Sequence, residues 1–564
     1  MRADRVGFLG YKRPTTPNMD KLARHSIVLE NHIAAASFTQ PAFPSIFTSS
    51  HPLSYGGYDL GAWRRPPTIF EVLHNEGYEN YMISTFPWVS RFYGYRKGIN
   101  QEEMLFTINA LVGAASATIS LTIGLYLEGK ITKHNLIQFI SPLMEKFFSD
   151  IIEYSEFRLR HQSVDRHMLA NERVIRDGYD YKKIIQTVVY HKTFFKFNKE
   201  SYIDKYFQLQ PNAHNWIAKD WRYARDIYFI SKLAFQSIFE TICRAKFPLS
   251  DNIFGKRYVD GQTISNLVVN KIKNNMSEKP FMIWAHFFDA HVPYSPGKGR
   301  FWRDEAPNYL NKIGFLKPLR NNFSHSKKPT TSDDWNTWSA LYDDGIHYID
   351  SQIGQIVDAL KQSGKAENTI LIIGSDHGEE LGEHGQISHR FMCYDHCVRV
   401  PFIIFDPGHQ QKNIKALTTH IDLAPTIMVL AGLKSPKLWE GKNILRKNGR
   451  MRTHVLIENF YGGSCLFEHR PLYIGVRTSQ FKYLWKEFRD PTDNHSKAGH
   501  ELYDLNSDPK EQTNIYQKKH PKVELFNHII AERLTKLPQI SESRIIAAFG
   551  DIGHLAIQKY QQSM

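Results

Sequence analysis

Between Ser375 and Gly385 the chain reads Ser-Asp-His-Gly-Glu-Glu-Leu-Gly-Glu-His-Gly. Six of those side chains are candidate metal ligands or proton carriers: Asp376, His377, Glu379, Glu380, Glu383 and His384. Adjacent Asp376 and His377 offer a hard carboxylate oxygen and an imidazole nitrogen to one divalent ion. The intervening glycines let the backbone turn tightly around it. A polar loop without chemistry is the bland alternative, and the density of ligating groups argues against it. Cys393 and Cys397 flank His396. Their spacing fits one face of a helix, so they are expected to be reduced structural cysteines rather than ligands.

A reactive loop needs a rigid element behind it. Thr369 to Ile373 is a short apolar run that stops at Gly374, the pattern of a buried parallel strand. In open α/β sheets chemistry gathers at the carboxyl ends of such strands. Upstream, Thr16-Pro17-Asn18 opens a helical pattern through Met19, Leu22 and Ala23, Ser26 to Asn31 is expected as a strand, Thr68 to Leu73 as a helix ending near Gly77, and Tyr81 to Ser84 as a strand. This is βα alternation. From about 101 to 260 glycines thin out and helical spacing dominates, as in Ile184-Ile185 and Val188-Val189, which predicts a helical insertion. The α/β pattern resumes with a strand at Phe281 to Phe287, a long helix around Trp335 to Leu360, a strand at Val400 to Phe405 and a helix from Asp422 towards Gly432. Val455 to Glu458, Leu472 to Val476 and Phe481 to Trp485 then look like an antiparallel set, followed by a charged helix around 520 to 535. The expected division is a catalytic α/β domain over 1–435 and a smaller α+β subdomain over 436–564.

The totals bound the function. A chain of 564 residues exceeds one ordinary core. Its 42% hydrophobic and 23% charged content is globular. A net charge of +14 suits an anionic partner. The basic residues are scattered and no nucleic-acid motif accompanies them, so nucleic acid is excluded and an anionic ester substrate is favoured. Four cysteines make no disulfide framework. Met-Arg-Ala-Asp-Arg at the start carries no signal peptide, so a cytoplasmic location is expected. Leu105 to Leu127 has no charge and is long enough to cross a bilayer, but it is rich in Ala, Gly, Ser and Thr. A buried or docked helical hairpin is expected there, with membrane contact as the alternative.

Four blocks together resemble the sulfatase branch of the alkaline phosphatase superfamily: Thr16 to Ala23, Thr39-Gln40-Pro41-Ala42-Phe43-Pro44-Ser45-Ile46-Phe47-Thr48, Asp289-Ala290-His291-Val292-Pro293-Tyr294, and Ser375-Asp376-His377-Gly378. Glu501 to Pro509 is similar to the C-terminal signature of that family. The resemblance implies an α/β sandwich in which helices flank a large mixed, mostly parallel sheet. It puts the nucleophile at Thr39, metal ligands at Asp376, His377 and Thr39, and histidines at the transferring group or leaving oxygen at His291 and His389. It implies one divalent ion, Ca, Mg, Mn or Zn, and a hydrolase of sulfate or phosphate esters working through a covalent Thr39 intermediate. As a bare residue Thr39 reads as a helix N-cap with Pro41 just inside. His384 reads as a supporting or structural residue.

Three departures shape the expectation. Sulfatases proper carry Cys or Ser in a Cys/Ser-x-Pro-Ser-Arg pattern that becomes formylglycine. Threonine cannot form that aldehyde, so phosphoryl transfer is favoured over sulfuryl transfer. Phe43 stands where the family often has Arg or His, so Arg399 or a residue of the insertion is expected to supply the cation. Family members also begin with an apolar strand ending in one or two metal Asp residues, just before a run like Arg2-Ala3-Asp4-Arg5, and Asp4 itself belongs to the turn that follows. An upstream start is therefore expected. Two rival readings remain: a membrane-associated phosphoethanolamine-type transferase, motivated by Thr39 and the 105–127 segment, and a non-catalytic or truncated member, motivated by the absent Asp.

Overall fold

Short apolar runs cannot bury both faces alone, and here they assemble into two neighbouring sheets covered by helices. The computed structural model describes residues 1–161, 179–207, 259–274, 279–292, 294, 301, 332–385, 387–389, 393–446, 452–460, 471–487 and 499–563. In chain order the described strands are β1 (Ile27–Ile33), β2 (Glu79–Ser84), β3 (Gln101–Met104), β4 (Phe281–Ala285), β5 (Leu371–Gly374), β6 (Glu380–Leu381) and β7 (Ile387–Ser388). They continue with β8 (Phe402–Phe405), β9 (Lys412–Thr419), β10 (Val455–Asn459), β11 (Tyr473–Arg477), β12 (Phe481–Lys486) and β13 (Gly499–Asp504).

The first sheet has the order β5-β8-β1-β9. It is mixed: β8 runs antiparallel to both β5 and β1, while β1 and β9 are parallel. Leu29 and Ile403 on it are fully buried. The second sheet, β3-β2-β4, is wholly parallel. The long Ser332–Gln362 helix packs on Pro17–Ala23 and on Gly261–Asn274. Asp350 fixes the first of these contacts by accepting from the Asn18 and Met19 backbone at 3.0 and 2.8 Å.

The large sheet expected from the resemblance is thus in two parts. Within these sheets β4 pairs only with β2, and β5 only with β8. Both strands are only half-buried although their sequences, Phe-Met-Ile-Trp-Ala and Leu-Ile-Ile-Gly, are apolar. A cleft of about 1140 Å³ runs along both and reaches Thr39 and His377. This is where the resemblance puts its first strand; among the described residues none occupies it. Arg2, Ala3 and Asp4 lie in the turn beyond, where buried Arg2 pairs with Asp4 and Glu383.

Ile108–Leu127 is one helix laid along Lys133–His161. Thr107 caps it by accepting from Ala110 N–H, and Leu111, Ile119 and Ile123 enter the core. No described helix is long and apolar enough to cross a membrane. Helices Tyr181–Phe197 and Lys199–Phe207 continue the helical insertion, of which 162–178 and 208–258 lie outside the described residues.

The fourth and last multistranded element is the antiparallel sheet β10-β11-β12-β13. It is backed by Pro521–Leu534, whose Arg533 makes a buried ion pair with Glu458 of β10. Helices Glu542–Phe549 and Asp551–Ser563 follow; the sequence reading did not anticipate them.

Candidate active site

Three segments converge at the cleft mouth. β5 ends in Ser375-Asp376-His377, β4 runs into His286 to His291, and Ala34 to Phe38 leads from β1 into the helix Thr39–Thr48. That helix is buried throughout. Pro41 sits in its first turn, where a backbone N–H has no intrahelical partner to lose. Its N-cap is Phe38, without a side-chain bond, and Thr39 is the first helical residue. The N-cap reading of Thr39 is therefore replaced: its hydroxyl turns to His377.

Thr39 Oγ1 lies 3.1 Å from His377 Nε2. The tautomer follows from the other ring nitrogen. His377 Nδ1 is 2.8 Å from the Gly378 carbonyl, which can only accept, so Nδ1 carries the hydrogen and Nε2 the lone pair. Burial holds the His377 pKa down at about 4, so the ring is neutral and the Thr39 hydroxyl donates to it. Asp376 Oδ2 lies 3.4 Å from the same nitrogen and is itself buried without a hydrogen-bond partner. Burial alone would raise the Asp376 pKa, yet His377 and His286 keep it well below the usual carboxylate range. A buried carboxylate oxygen with no donor and a hydroxyl oxygen, each within 3.4 Å of one imidazole lone pair, form a donor set that fits a divalent ion. The Gly378 carbonyl orients the imidazole as an outer partner does in metal sites.

A second row of rings lies beside this pair. The His377 and His389 rings are 4.1 Å apart, and those of His389 and His291 4.7 Å. His389 Nδ1 donates to Glu379 Oε1 at 3.0 Å. Glu379 is buried, and burial raises its pKa against the pull of His291 and His377. His389 is aimed by a backbone in an uncommon state: the preceding Ser388 has φ +73°. Such a conformation in a non-glycine residue is sparsely populated and gathers at functional sites. His291 donates through Nδ1 to the Val292 carbonyl, and burial holds its pKa well below the ordinary value. Its Nε2 is thus an acceptor.

Successive contacts bring Thr39, His377, Asp376, His389 and His291 into one place. The six-residue cluster does not act as a unit. Asp376, His377 and Glu379 face this site, Glu383 pairs with Arg2, and Glu380 and His384 turn to His396. Arg399 does not fulfil its expected role as the cation at the nucleophile: its guanidinium binds the Glu30 carbonyl at 2.9 Å. Phe43 instead sets an aromatic edge against His286, with ring centroids 5.2 Å apart. The sequence reading did not single out His286 and His420. Burial holds both at about 4. The one sequence signal was the apolar run directly before His286; His420 follows β9, whose lysines hide it. Cys393 and Cys397 are free and buried, with thiol pKa values raised by burial, as expected of inert structural cysteines.

Residues 1–117 and 182–433 match the Sulfatase family model. The chain belongs to the sulfatase family. Residues 382–539 also match the family model described as N-sulphoglucosamine sulphohydrolase, C-terminal. An uncharacterized sulfatase, YidJ, from Escherichia coli strain K12 is 32% identical over 286 residues, covering 47% of this chain and 53% of that protein. An arylsulfatase of Clostridium perfringens is 29% identical over 282 residues, covering 44% and 53%. The chain spans about half the length of these curated relatives. Among solved structures, one in complex with its substrate D-glucosamine-2-N,6-O-disulfate covers 95% of this chain and 96% of its own at a TM-score of 0.53 and 15% identity. The phosphonate monoester hydrolase of Agrobacterium radiobacter covers 95% and 93% at 0.50 and 16%. At such identities the likeness is one of fold, and it is the alkaline-phosphatase-like fold of sulfatases.

Proposed function

We propose that this sulfatase-family chain hydrolyses anionic esters, with Thr39 as the nucleophile and Asp376, His377 and Thr39 holding one divalent ion. The observation that carries this reading is the 3.1 Å contact between the Thr39 hydroxyl and the unprotonated face of His377, at the start of a buried helix. The positive end of that helix favours an anionic group at the same point. A bound divalent ion would supply charge that lowers the pKa of the nucleophilic hydroxyl and screens the ester anion. The imidazole donor favours Mn or Zn over Ca or Mg.

The remaining chemistry belongs to the chain. Thr39 Oγ forms a bond to phosphorus or sulfur as the bond to the departing oxygen breaks. His389, backed by Glu379, gives that oxygen its proton. Water then attacks phosphorus or sulfur and loses its proton to His291 Nε2 as the bond to Thr39 Oγ breaks; Oγ regains from solvent the proton it gave up to solvent on attack, and His291 and His389 return to their starting states by exchange with solvent. Because threonine has no route to formylglycine, the phosphorus ester is the favoured substrate: its Thr39 intermediate yields to in-line water. Burial of Leu111, Ile119 and Ile123 supports hydrolysis over a membrane-bound transferase, because it uses the uncharged segment in packing. We place the boundary between the catalytic α/β domain and the C-terminal α+β subdomain at 435/436.

An activity screen of aryl sulfate, phosphate monoester, phosphodiester and phosphonate, each with several divalent ions, tests the reading. Intact mass of acid-quenched protein should show one phosphoryl or sulfuryl group, lost in Thr39→Ala together with turnover. A Thr39→Ala protein of undiminished activity would falsify the assignment; a wild-type chain inert towards all four substrates would leave it a non-catalytic family member.

A further inference from the structure

The β6–β7 hairpin carries a second set of ligating groups that the reaction above leaves unused. Glu380 in β6 is fully buried. His384 follows in the turn, and its backbone N–H donates to Glu380 Oε1 at 2.7 Å. His396, in the short helix Asp395–Val398, brings its Nε2 against Glu380 Oε2. One ligand atom from each of the three residues lies within 4.8 Å of the others.

The orientation of His384 is the informative detail. Its Nε2 donates to the Glu511 carbonyl at 2.9 Å, so in the neutral ring the lone pair is on Nδ1; burial lowers the ring's pKa but Glu380 raises it on balance, so an ion entering here would displace a proton from Nδ1. Its ring is clamped by stacking on Tyr394, with centroids 3.6 Å apart and planes 5° from parallel. Nδ1 is buried without a hydrogen-bond partner and lies 3.8 Å from Glu380 Oε1. A histidine whose outer N–H is held by a backbone carbonyl while its inner lone pair faces a carboxylate and a second imidazole is arranged as a metal ligand.

We propose that Glu380, His384 and His396 bind a divalent transition-metal ion of the zinc class, at a site separate from Asp376, His377 and Thr39. One carboxylate and two imidazoles suit zinc, with water at a fourth position, and two nitrogen donors discriminate against Ca and Mg. The ion joins β6, the following turn and the Asp395–Val398 helix. Glu379 precedes Glu380, and His389 follows β7, so the ion holds the hairpin that carries this acid–base pair. The short helix that carries His396 is also tied to the C-terminal unit, because Asp395 contacts Lys482 at 2.7 Å. The competing account is a metal-free network in which Glu380 bridges two imidazoles.

Cobalt(II) added to the chelator-stripped full chain is the probe, because its ligand-field absorption reports a site without reference to turnover. In the His377→Ala background, which removes the imidazole of the other site, the band should persist, disappear when His384→Ala or His396→Ala is added, and be displaced by zinc. In Glu380→Gln, which keeps hydrogen-bonding capacity, cobalt affinity should fall at least tenfold while near-UV circular dichroism is unchanged. A band in the His377→Ala background that survives both added histidine changes, or no band in that background at all, overturns the proposal. Anomalous scattering at the zinc edge from zinc-soaked wild-type crystals decides it without a variant: a peak among the three residues supports the site, and a triad without one refutes it.

Discussion

Replacing His389 by alanine isolates the proton that the departing oxygen needs. Two imidazoles stand near the nucleophile, and their hydrogen bonds give them different duties. His291 spends Nδ1 on the Val292 carbonyl and is kept neutral by burial, so it can only accept. His389 gives Nδ1 to the carboxylate of Glu379 at 3.0 Å. With Glu379 only 2% exposed, little water screens that charge from the ring. A positioned general acid contributes roughly 100- to 10,000-fold, or about 3 to 5 kcal/mol of barrier at about 1.4 kcal/mol per tenfold. His389→Ala should therefore lower kcat/KM by that factor on an alkyl ester. On a nitrophenyl ester of the same headgroup, whose oxygen departs without a proton, the loss should stay below about tenfold, being only what remains when proton delivery is not required. Glu379→Gln keeps a bond to Nδ1 but removes the charge that supports imidazolium, so it should move the basic limb of the pH profile to lower pH. The assay is steady-state kcat/KM over a graded series of leaving groups. Equal losses across the series would mean that His389 binds substrate and does not protonate it.

Four further outcomes are expected. Chelator-stripped protein should lose turnover and regain it with Mn or Zn, read with the substrate that the screen identifies. Gly378→Ala should abolish activity and lower the melting temperature, because its Cβ would sit 2.0 Å from the His396 carbonyl oxygen, and both segments belong to the site. Arg533→Ala should cost about 3–5 kcal/mol in denaturant unfolding by stranding the buried Glu458 charge; replacing both partners with apolar residues should cost less. Acid should destabilise the fold through His420, which accepts from Ala35 N–H and donates to the Ser375 carbonyl, both buried. Its pKa is about 4 in the fold against an ordinary 6.5, so its contribution is intact above pH 6.5 and declines as pH falls towards 4, reaching a loss of about 2 kcal/mol at pH 5. His420→Gln should flatten that dependence, measured as the change in melting temperature between pH 7 and 5.

The elements nearest the chemistry were legible because their signals are local. An apolar run stopped by glycine gives β5, although β5 is half-buried and antiparallel to β8 where a buried parallel strand was expected, and Asp376-His377 at its end needs no partner to be suspected. Thr68 and Glu71 form the capping box that starts the Ile69–Asn75 helix, and Gly77 follows with φ +86°. What spacing could not supply is contact across distance. Thr39 and His377 are 338 residues apart, and only resemblance joined them beforehand. Strand direction was also hidden. Phe-Ile-Ile-Phe in β8 says buried, but the same apolar run serves a parallel or an antiparallel strand, and β8 proves antiparallel to both neighbours. The division of labour among Glu379, Glu380 and Glu383 depends on the β6–β7 hairpin pairing, Glu380 with Ser388 and Leu381 with Ile387. Two-residue strands are too short to leave a periodic trace. β9 was missed because Lys412 and Lys415 break its apolar pattern.

The open edges of β4 and β5 have a mechanical consequence. Among the described residues each has one edge without a strand partner, flanked by Met282, Trp284 and Ile372, so amide exchange should be faster there than in β1 or β8. Such borders recruit extended chain. A short apolar peptide threaded between them would weld the two sheets into a single continuous one, and the residue emerging at its carboxyl end would arrive beside Asp376.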